Sequence, residues 1–250
     1  MQHLPEPSSN WALFLDVDGT LIHLADHPDH VQPVFGLVNS LHQVAEVLNG
    51  ALALVSGRSI ENIERLLGAN ALAVAGLHGQ QVRAADGRVL RAPDQLRALE
   101  RAAVQARALA HDHPGVYVED KISGIALHYR NAPGMAKRVR AFASQIVKQF
   151  PNELETVAGK SVLELKPVGC NKGTAIETFM ADTPFTGRIP VFVGDDLTDE
   201  DGFRAVNALK GFGIRVGDDT HQQTLAKYGL ANVDEVHQWL RTLTTTLGTG

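Results

Sequence analysis

Phe14-Leu15-Asp16-Val17-Asp18-Gly19-Thr20-Leu21-Ile22 decides how the rest of the chain is read. The apolar residues 11–15 lead into it, the signature of a strand buried on both faces of a parallel sheet. The run ends on two carboxylates either side of one valine, and Gly19 then lets the backbone turn sharply. Carboxylates are costly inside a core. The pair therefore belongs just beyond the strand's carboxyl end, the edge at which open α/β sheets bind ligands. Two such groups can hold a divalent cation, or one can attack while the other moves a proton. A simple Asp-Gly turn explains Asp18-Gly19 alone. Two carboxylates, Thr20 and three further motifs downstream favour chemistry.

Strands and helices alternate around this stretch. Leu37, Leu41, Val44 and Leu48 recur at helical spacing within 33–49, before a stop at Gly50. Residues 51–55 form a second buried strand ending at Ser56-Gly57-Arg58. Ser59 caps a helix whose apolar face is Ile60, Ile63, Leu66 and Leu67. Residues 72–75 make a third strand ahead of Gly76-Leu77-His78-Gly79, and 81–91 a hairpin around Asp86-Gly87. At Pro93 the pattern changes to helix, two strands, helix, two strands, an α+β insert with an antiparallel sheet. After Pro167 the alternation resumes. A helix starts at Asn171-Lys172-Gly173, a strand over 190–193 ends in Gly194-Asp195-Asp196, then come a helix, a strand over 212–216 and two closing helices. The fold class is α/β, with residues 1–92 and 166–250 as a parallel-sheet core and 93–165 as an inserted domain.

Composition bounds the function. A 250-residue chain that is 44% hydrophobic and 20% charged is an ordinary globular protein. Net charge of −5 gives no support to a general nucleic-acid or anionic-membrane binder. The single cysteine, Cys170, rules out an intrachain disulfide and a cysteine-rich zinc site. No segment reads as a signal peptide or a membrane span, so a cytoplasmic protein is expected. His23, His27 and His30 sit in a polar stretch and read as solvated loop residues.

Four motifs fall at loops that the sheet would bring together: Asp16 with Asp18, Ser56, Lys172, and the cluster from Asp195 to Asp201. Ser56 offers a hydroxyl and nearby amides to phosphate oxygens. Lys172 stands at a helix start, where a cation opposes the helix dipole unless an anion is present. Asp199 and Glu200 suit a helix cap on their own; Asp195 and Asp196, ahead of the helix, are less easily explained so. Carboxylates for a metal, a hydroxyl and a lysine together make a phosphoryl-handling site. Arg58 divides evenly between this site and a surface ion pair with Glu61 or Glu64. Cys170 reads as structural.

In this order the four motifs resemble those of the haloacid dehalogenase (HAD) superfamily. A closer resemblance, to the trehalose-6-phosphate phosphatase family, rests on Leu54-Val55-Ser56-Gly57-Arg58, Gly76-Leu77-His78-Gly79, Val118-Glu119-Asp120-Lys121, His128-Tyr129-Arg130, Leu163-Glu164-Leu165-Lys166-Pro167, Asn171-Lys172-Gly173 and 194–200. The resemblance implies a Rossmann-like HAD core with an inserted α/β cap of the C2B type. It implies an Mg²⁺-dependent phosphatase acting on a small sugar phosphate, with no nucleic-acid or membrane partner, and a monomer is expected. Asp16 would be the nucleophile and Asp18 the acid/base. Asp16, the Asp18 carbonyl and Asp195 would hold Mg²⁺, with waters placed by Asp196 or Asp199. Ser56 and Lys172 would neutralise the phosphoryl group, with Thr20 helping. Arg58, His78 and Arg130 would contact substrate, and Glu119, Lys121 and Glu164 would grip the distal sugar. The alternatives are a phosphatase or phosphomutase for another sugar phosphate, or a silent binding module, against which the intact Asp16/Asp18 pair argues.

Overall fold

The computed structural model describes residues 3–23, 36–68, 71–91, 96–121, 124–217 and 223–248. The chain divides into two compact units, 1–92 with 171–250, and 93–170.

The first unit is built on an eight-stranded sheet with β1 (Trp11–Leu15) inside it. All five β1 residues are buried, as the apolar run requires. On one side lie β2 (Leu52–Val55) and β3 (Ala73–Gly76), both parallel, then the antiparallel hairpin of β4 (Gln81–Arg83) and β5 (Val89–Arg91). On the other lie β10 (Ile189–Gly194), β11 (Phe212–Val216) and β12 (Tyr228–Leu230), all parallel. The chain leaves β1 in one direction for β2 and in the other for β10. The boundary between β1 and β10 is thus a topological switch point, where an open α/β sheet leaves a crevice beyond its carboxyl ends.

Side-chain alternation sets which helix each β1 residue meets. Trp11 stacks on Trp239 of α7 (Val233–Leu247), centroids 6.3 Å apart. Phe14, of opposite parity, stacks on Phe179 of α5 (Lys172–Met180) at 6.0 Å and on Phe185 at 5.4 Å. The sheet is therefore covered on both faces. Asp16 shares the parity of Phe14, and its amide still donates to the Val193 carbonyl at 2.9 Å. Its side chain is consequently directed toward α5. Packed on α5 is α6 (Glu200–Ala208), and α1 (Leu37–Val47) packs on α7. Ser59 caps α2 (Ile60–Leu67) by accepting from the Asn62 amide, as its position predicts.

The expectation of two closing helices is corrected. Among the described residues, the chain after β11 holds one edge strand, β12, and then α7 alone. Tyr228-Gly229-Leu230 is too short for a periodicity to declare itself, and only its pairing with Ile214–Val216 makes it a strand.

The second unit has a four-stranded antiparallel sheet, ordered β6 (Tyr117–Lys121), β7 (Gly124–His128), β9 (Val162–Pro167), β8 (Leu154–Gly159). Ile125, Leu127, Leu163 and Leu165 pack with Ala102 and Ala106 of α3 (Leu96–Asp112) and with Val139, Ala143 and Ile146 of α4 (Ala136–Gln149). Alternation then directs Tyr117, Glu119, Lys121, His128 and Glu164 to the face away from those helices. Among the described residues no helix is long and apolar enough to cross a membrane.

Candidate active site

The site gathers the ends of three adjacent parallel strands. Asp16 follows β1, Ser56 follows β2 and Asp195 follows β10. Lys172, the first residue of α5, reaches between two of the acids. Its Nζ donates to Asp16 Oδ1 at 2.7 Å and to Asp199 Oδ1 at 2.6 Å. Asn171 caps α5 by accepting from the Thr174 amide, which fixes where that lysine emerges. The other oxygen of Asp199 accepts from the amides of Asp195 (2.9 Å) and Asp196 (3.0 Å), so one fully buried carboxylate ties the β10 loop to the lysine.

Gly19 is required here twice over. Its φ of +79° lies in the left-handed region, and a Cβ at that position would sit 2.1 Å from Asp195 Oδ2. The Asp16-Asp18 turn and the Asp195 side chain can approach this closely only across a glycine. Thr20, fully buried, donates to Asp195 Oδ1 at 3.4 Å. Carboxylate oxygens of Asp16, Asp195 and Asp199 all lie within 4.8 Å of one another. Three acids around one ammonium leave an excess of negative charge. An oxygen-only donor set of that kind fits a hard divalent cation such as Mg²⁺ and does not suit a soft metal.

Burial pushes Asp16 up to about 7, against the pull of the Lys172 ammonium. Burial, reinforced by the Asp16 charge, likewise takes Asp199 to about 7. Asp195 rises to about 6 through burial and the charges of Asp199 and Asp196. For Lys172 burial works against the charged form, but Asp16 and Asp199 outweigh it and hold the ammonium above the ordinary lysine range. Burial also presses Asp196 upward, but hydrogen bonds from Thr198 and the Lys172 charge leave it below the usual carboxylate range.

The remaining candidates divide. Asp18 is close in sequence but turned aside: both its oxygens accept from Arg58, from Nε at 2.7 Å and from a terminal nitrogen at 2.6 Å. The surface pairing weighed for Arg58 is thereby corrected, because Glu61 pairs with Arg65 and Glu64 with Arg83. Buried Ser56 accepts from the Arg58 amide at 3.1 Å, and its carbonyl accepts from the His78 amide at 3.0 Å. His78 adopts φ +53°, and its ring occupies the space beside Gly57, where a Cβ would meet Nε2 at 2.7 Å. Asp196 is turned to Thr198, accepting from its amide and hydroxyl at 2.7 Å each, and shares a capping box with Asp199, whose carboxylate accepts from the Asp196 amide. Glu119, Lys121 and Glu164 share one face of the second sheet, with Lys121 paired to Glu164 at 3.3 Å. Arg130 is exposed just after β7. His23 is paired with Asp234 at 3.5 Å, and His27 and His30 lie outside the described residues. Cys170 is buried.

A carboxylate pair after the central strand, a lysine on a helix start and an acidic loop after the neighbouring strand define a HAD-type phosphatase core. The chain aligns along its whole length with the whole of a HAD-superfamily phosphatase structure from Bacteroides thetaiotaomicron, at a TM-score of 0.59 and 17% identity, a likeness of fold. A trehalose-6-phosphate phosphatase structure from Aspergillus fumigatus matches with a TM-score of 0.75 and 24% identity over 94% of this chain and 92% of that one. A trehalose-6-phosphate phosphatase of Escherichia coli K12 is 39% identical over 245 residues, 97% of this chain and 90% of the relative. The family model for trehalose-phosphatase spans residues 14–234, and the chain belongs to that family.

Proposed function

We propose that the protein hydrolyses trehalose 6-phosphate to trehalose and phosphate through a phosphoenzyme on Asp16. The observation that carries this reading is the buried group of Asp16, Asp195, Asp199 and Lys172 at the switch point. Asp16 attacks phosphorus, and the bond from phosphorus to the sugar oxygen breaks. Lys172 pulls against the burial that raises Asp16, favouring its ionised form, and offsets the charge of the phosphoryl group. Asp18 protonates the departing sugar oxygen, then takes a proton from the water that releases phosphate from Asp16. To do so it must give up at least one of its two bonds to Arg58. Ser56 and Thr20 orient phosphoryl oxygens, with Arg58 and His78 at the rim.

Asp16, Asp195 and the Asp18 carbonyl would hold Mg²⁺, with Asp199 and Asp196 placing its waters. When bound, Mg²⁺ supplies charge neutralisation and polarisation at the phosphoryl oxygens. Glu119, Lys121, Glu164 and Arg130 offer charged partners to the hydroxyls of the disaccharide. The domain reading that goes with this is a catalytic core over 1–92 and 166–250 and a substrate-specificity cap over 93–165. A cytoplasmic monomer completes it, and the net charge of −5 supports the absence of a nucleic-acid or membrane partner.

The test is phosphate release from a panel of sugar phosphates, with chelator and with Mg²⁺. Trehalose 6-phosphate should give the highest kcat/KM, chelator should abolish turnover and Mg²⁺ should restore it. Equal kcat/KM across the panel, or full activity without divalent metal, would overturn the proposal.

A further inference from the structure

The helix-free face of the second sheet contains a pair that the sequence reading did not select. His128 Nε2 lies 2.8 Å from Glu119 Oε2. A carboxylate has no proton to give, so the ring donates. Tyr117 stands directly opposite His128 in the β6–β7 register, with ring centroids 5.9 Å apart. Tyr117 is 64% exposed, an unusual state for a large aromatic on a sheet face. It shares its strand face with Glu119 and Lys121, two and four residues on.

Next along the face, Lys121 reaches across β7 to Glu164 on β9. Two strand spacings separate β6 from β9, about 9.6 Å. The side chains can meet because β7 presents only Gly124 and Ala126 beneath them. The Lys121–Glu164 pair engages one oxygen of Glu164, Oε2. The His128–Glu119 pair uses one oxygen of Glu119 and leaves Oε1 to accept from a ligand hydroxyl, beside an exposed aromatic plane.

A pyranose has that combination of needs: hydroxyls around its rim and an apolar C–H face that lies flat on an aromatic ring. We infer that Tyr117, His128 and Glu119 form one sugar-recognition element, in which Tyr117 stacks on a sugar ring of the substrate and His128 is a positioning residue that holds the Glu119 carboxylate toward a hydroxyl. The inference rests on the sugar-phosphate reading above and adds two residues to it. His128 acts through Glu119; it does not touch the reacting phosphorus.

The experiment uses the full chain with Mg²⁺ and two substrates, trehalose 6-phosphate and p-nitrophenyl phosphate, which carries no sugar. His128→Ala and Tyr117→Ala should each raise KM for trehalose 6-phosphate roughly tenfold, the size of one lost charge-assisted hydrogen bond or one lost aromatic contact, with little change in kcat. Hydrolysis of p-nitrophenyl phosphate should stay within about twofold, since uniform binding of the absent sugar is all that is removed. His128→Gln, which keeps a donor, should recover part of the loss, and Tyr117→Phe should behave as wild type. Thermal melts of all four variants check that the fold is kept. Equal losses on both substrates, no loss on trehalose 6-phosphate, or no difference between His128→Ala and His128→Gln would overturn the inference while leaving the phosphatase reading intact. A wild-type protein that hydrolyses p-nitrophenyl phosphate but not trehalose 6-phosphate would overturn both.

Discussion

The two units place the same kinds of side chain in opposite surroundings. In the first, the side chains of Asp16, Lys172 and Asp199 are at most 5% exposed. In the second, Glu119, Lys121 and Glu164 retain 43%, 37% and 25% exposure. A buried ion cluster pays a desolvation cost that only mutual pairing offsets, so its members are interdependent and their proton affinities move. An ion pair on a solvated sheet face is worth little to the fold. Buried, interdependent charge in the first unit suits the proposed chemistry, and solvent-facing charge in the second suits the proposed recognition of the substrate.

The sharpest way to break this contrast is at the nucleophile. Asp16→Asn should lower phosphate release from any substrate at least about a thousandfold, because an amide neither attacks phosphorus nor binds a cation well. Asp18→Asn should lose turnover and keep substrate affinity, measured by equilibrium binding. Near-wild-type rates in a folded Asp16→Asn protein would remove the mechanism.

A smaller effect is expected on stability. Lys172→Met leaves Asp16 and Asp199 without their shared cation, and should cost about 3 kcal/mol in urea unfolding, in the range of a broken buried pair. The sign with pH follows from the raised carboxylates. A group whose folded pKa exceeds its unfolded value stabilises the fold below the unfolded pKa, near 4, and loses that contribution as pH rises through the folded one. For Asp16 and Asp199 that window closes at about 7, and for Asp195 at about 6. Protein stripped of metal should lose this share of its stability between about pH 4 and pH 7. The gain in melting temperature on adding Mg²⁺ should accordingly be larger at pH 7.5 than at pH 5; a gain independent of pH would show that these acids do not titrate in that window.

Smallest of all should be the stability change in the second sheet. Lys121→Ala should cost under about 1 kcal/mol, as exposed pairs do. Glu119→Ala, Lys121→Ala and Glu164→Ala should nonetheless cut kcat/KM for trehalose 6-phosphate severely while sparing an aryl phosphate. Losses in stability as large as that for Lys172→Met would erase the distinction between the units.

Much of this arrangement is legible from the sequence where local pattern suffices. Residues 11–15 read as a buried parallel strand, and β1 is one. Lys172 at a helix start makes more sense beside an anion, and the carboxylates of Asp16 and Asp199 are there. Partnerships that depend on lateral registry are not legible. Arg58 has acids three and six residues on, yet its partner is Asp18, forty positions earlier, because Arg65 and Arg83 take the nearer ones. His128 marks itself weakly as a polar position in an apolar strand, but its link to Glu119 exists only once β6 and β7 are paired.

The path of the chain has one more consequence. It leaves the first unit once, after residue 92, and returns once, at residue 171, and the intervening segment brings its own hydrophobic core. Such a segment can be exchanged as a cassette. Asp16, Ser56 and Asp195 follow strands of a sheet to which residues 93–170 contribute no strand among the described residues, and Lys172 opens a helix packed on that sheet. On the proposed division of labour, changes within 93–170 would alter which molecule is recognised without editing the proposed catalytic residues, and a laboratory graft across the same two junctions would test it.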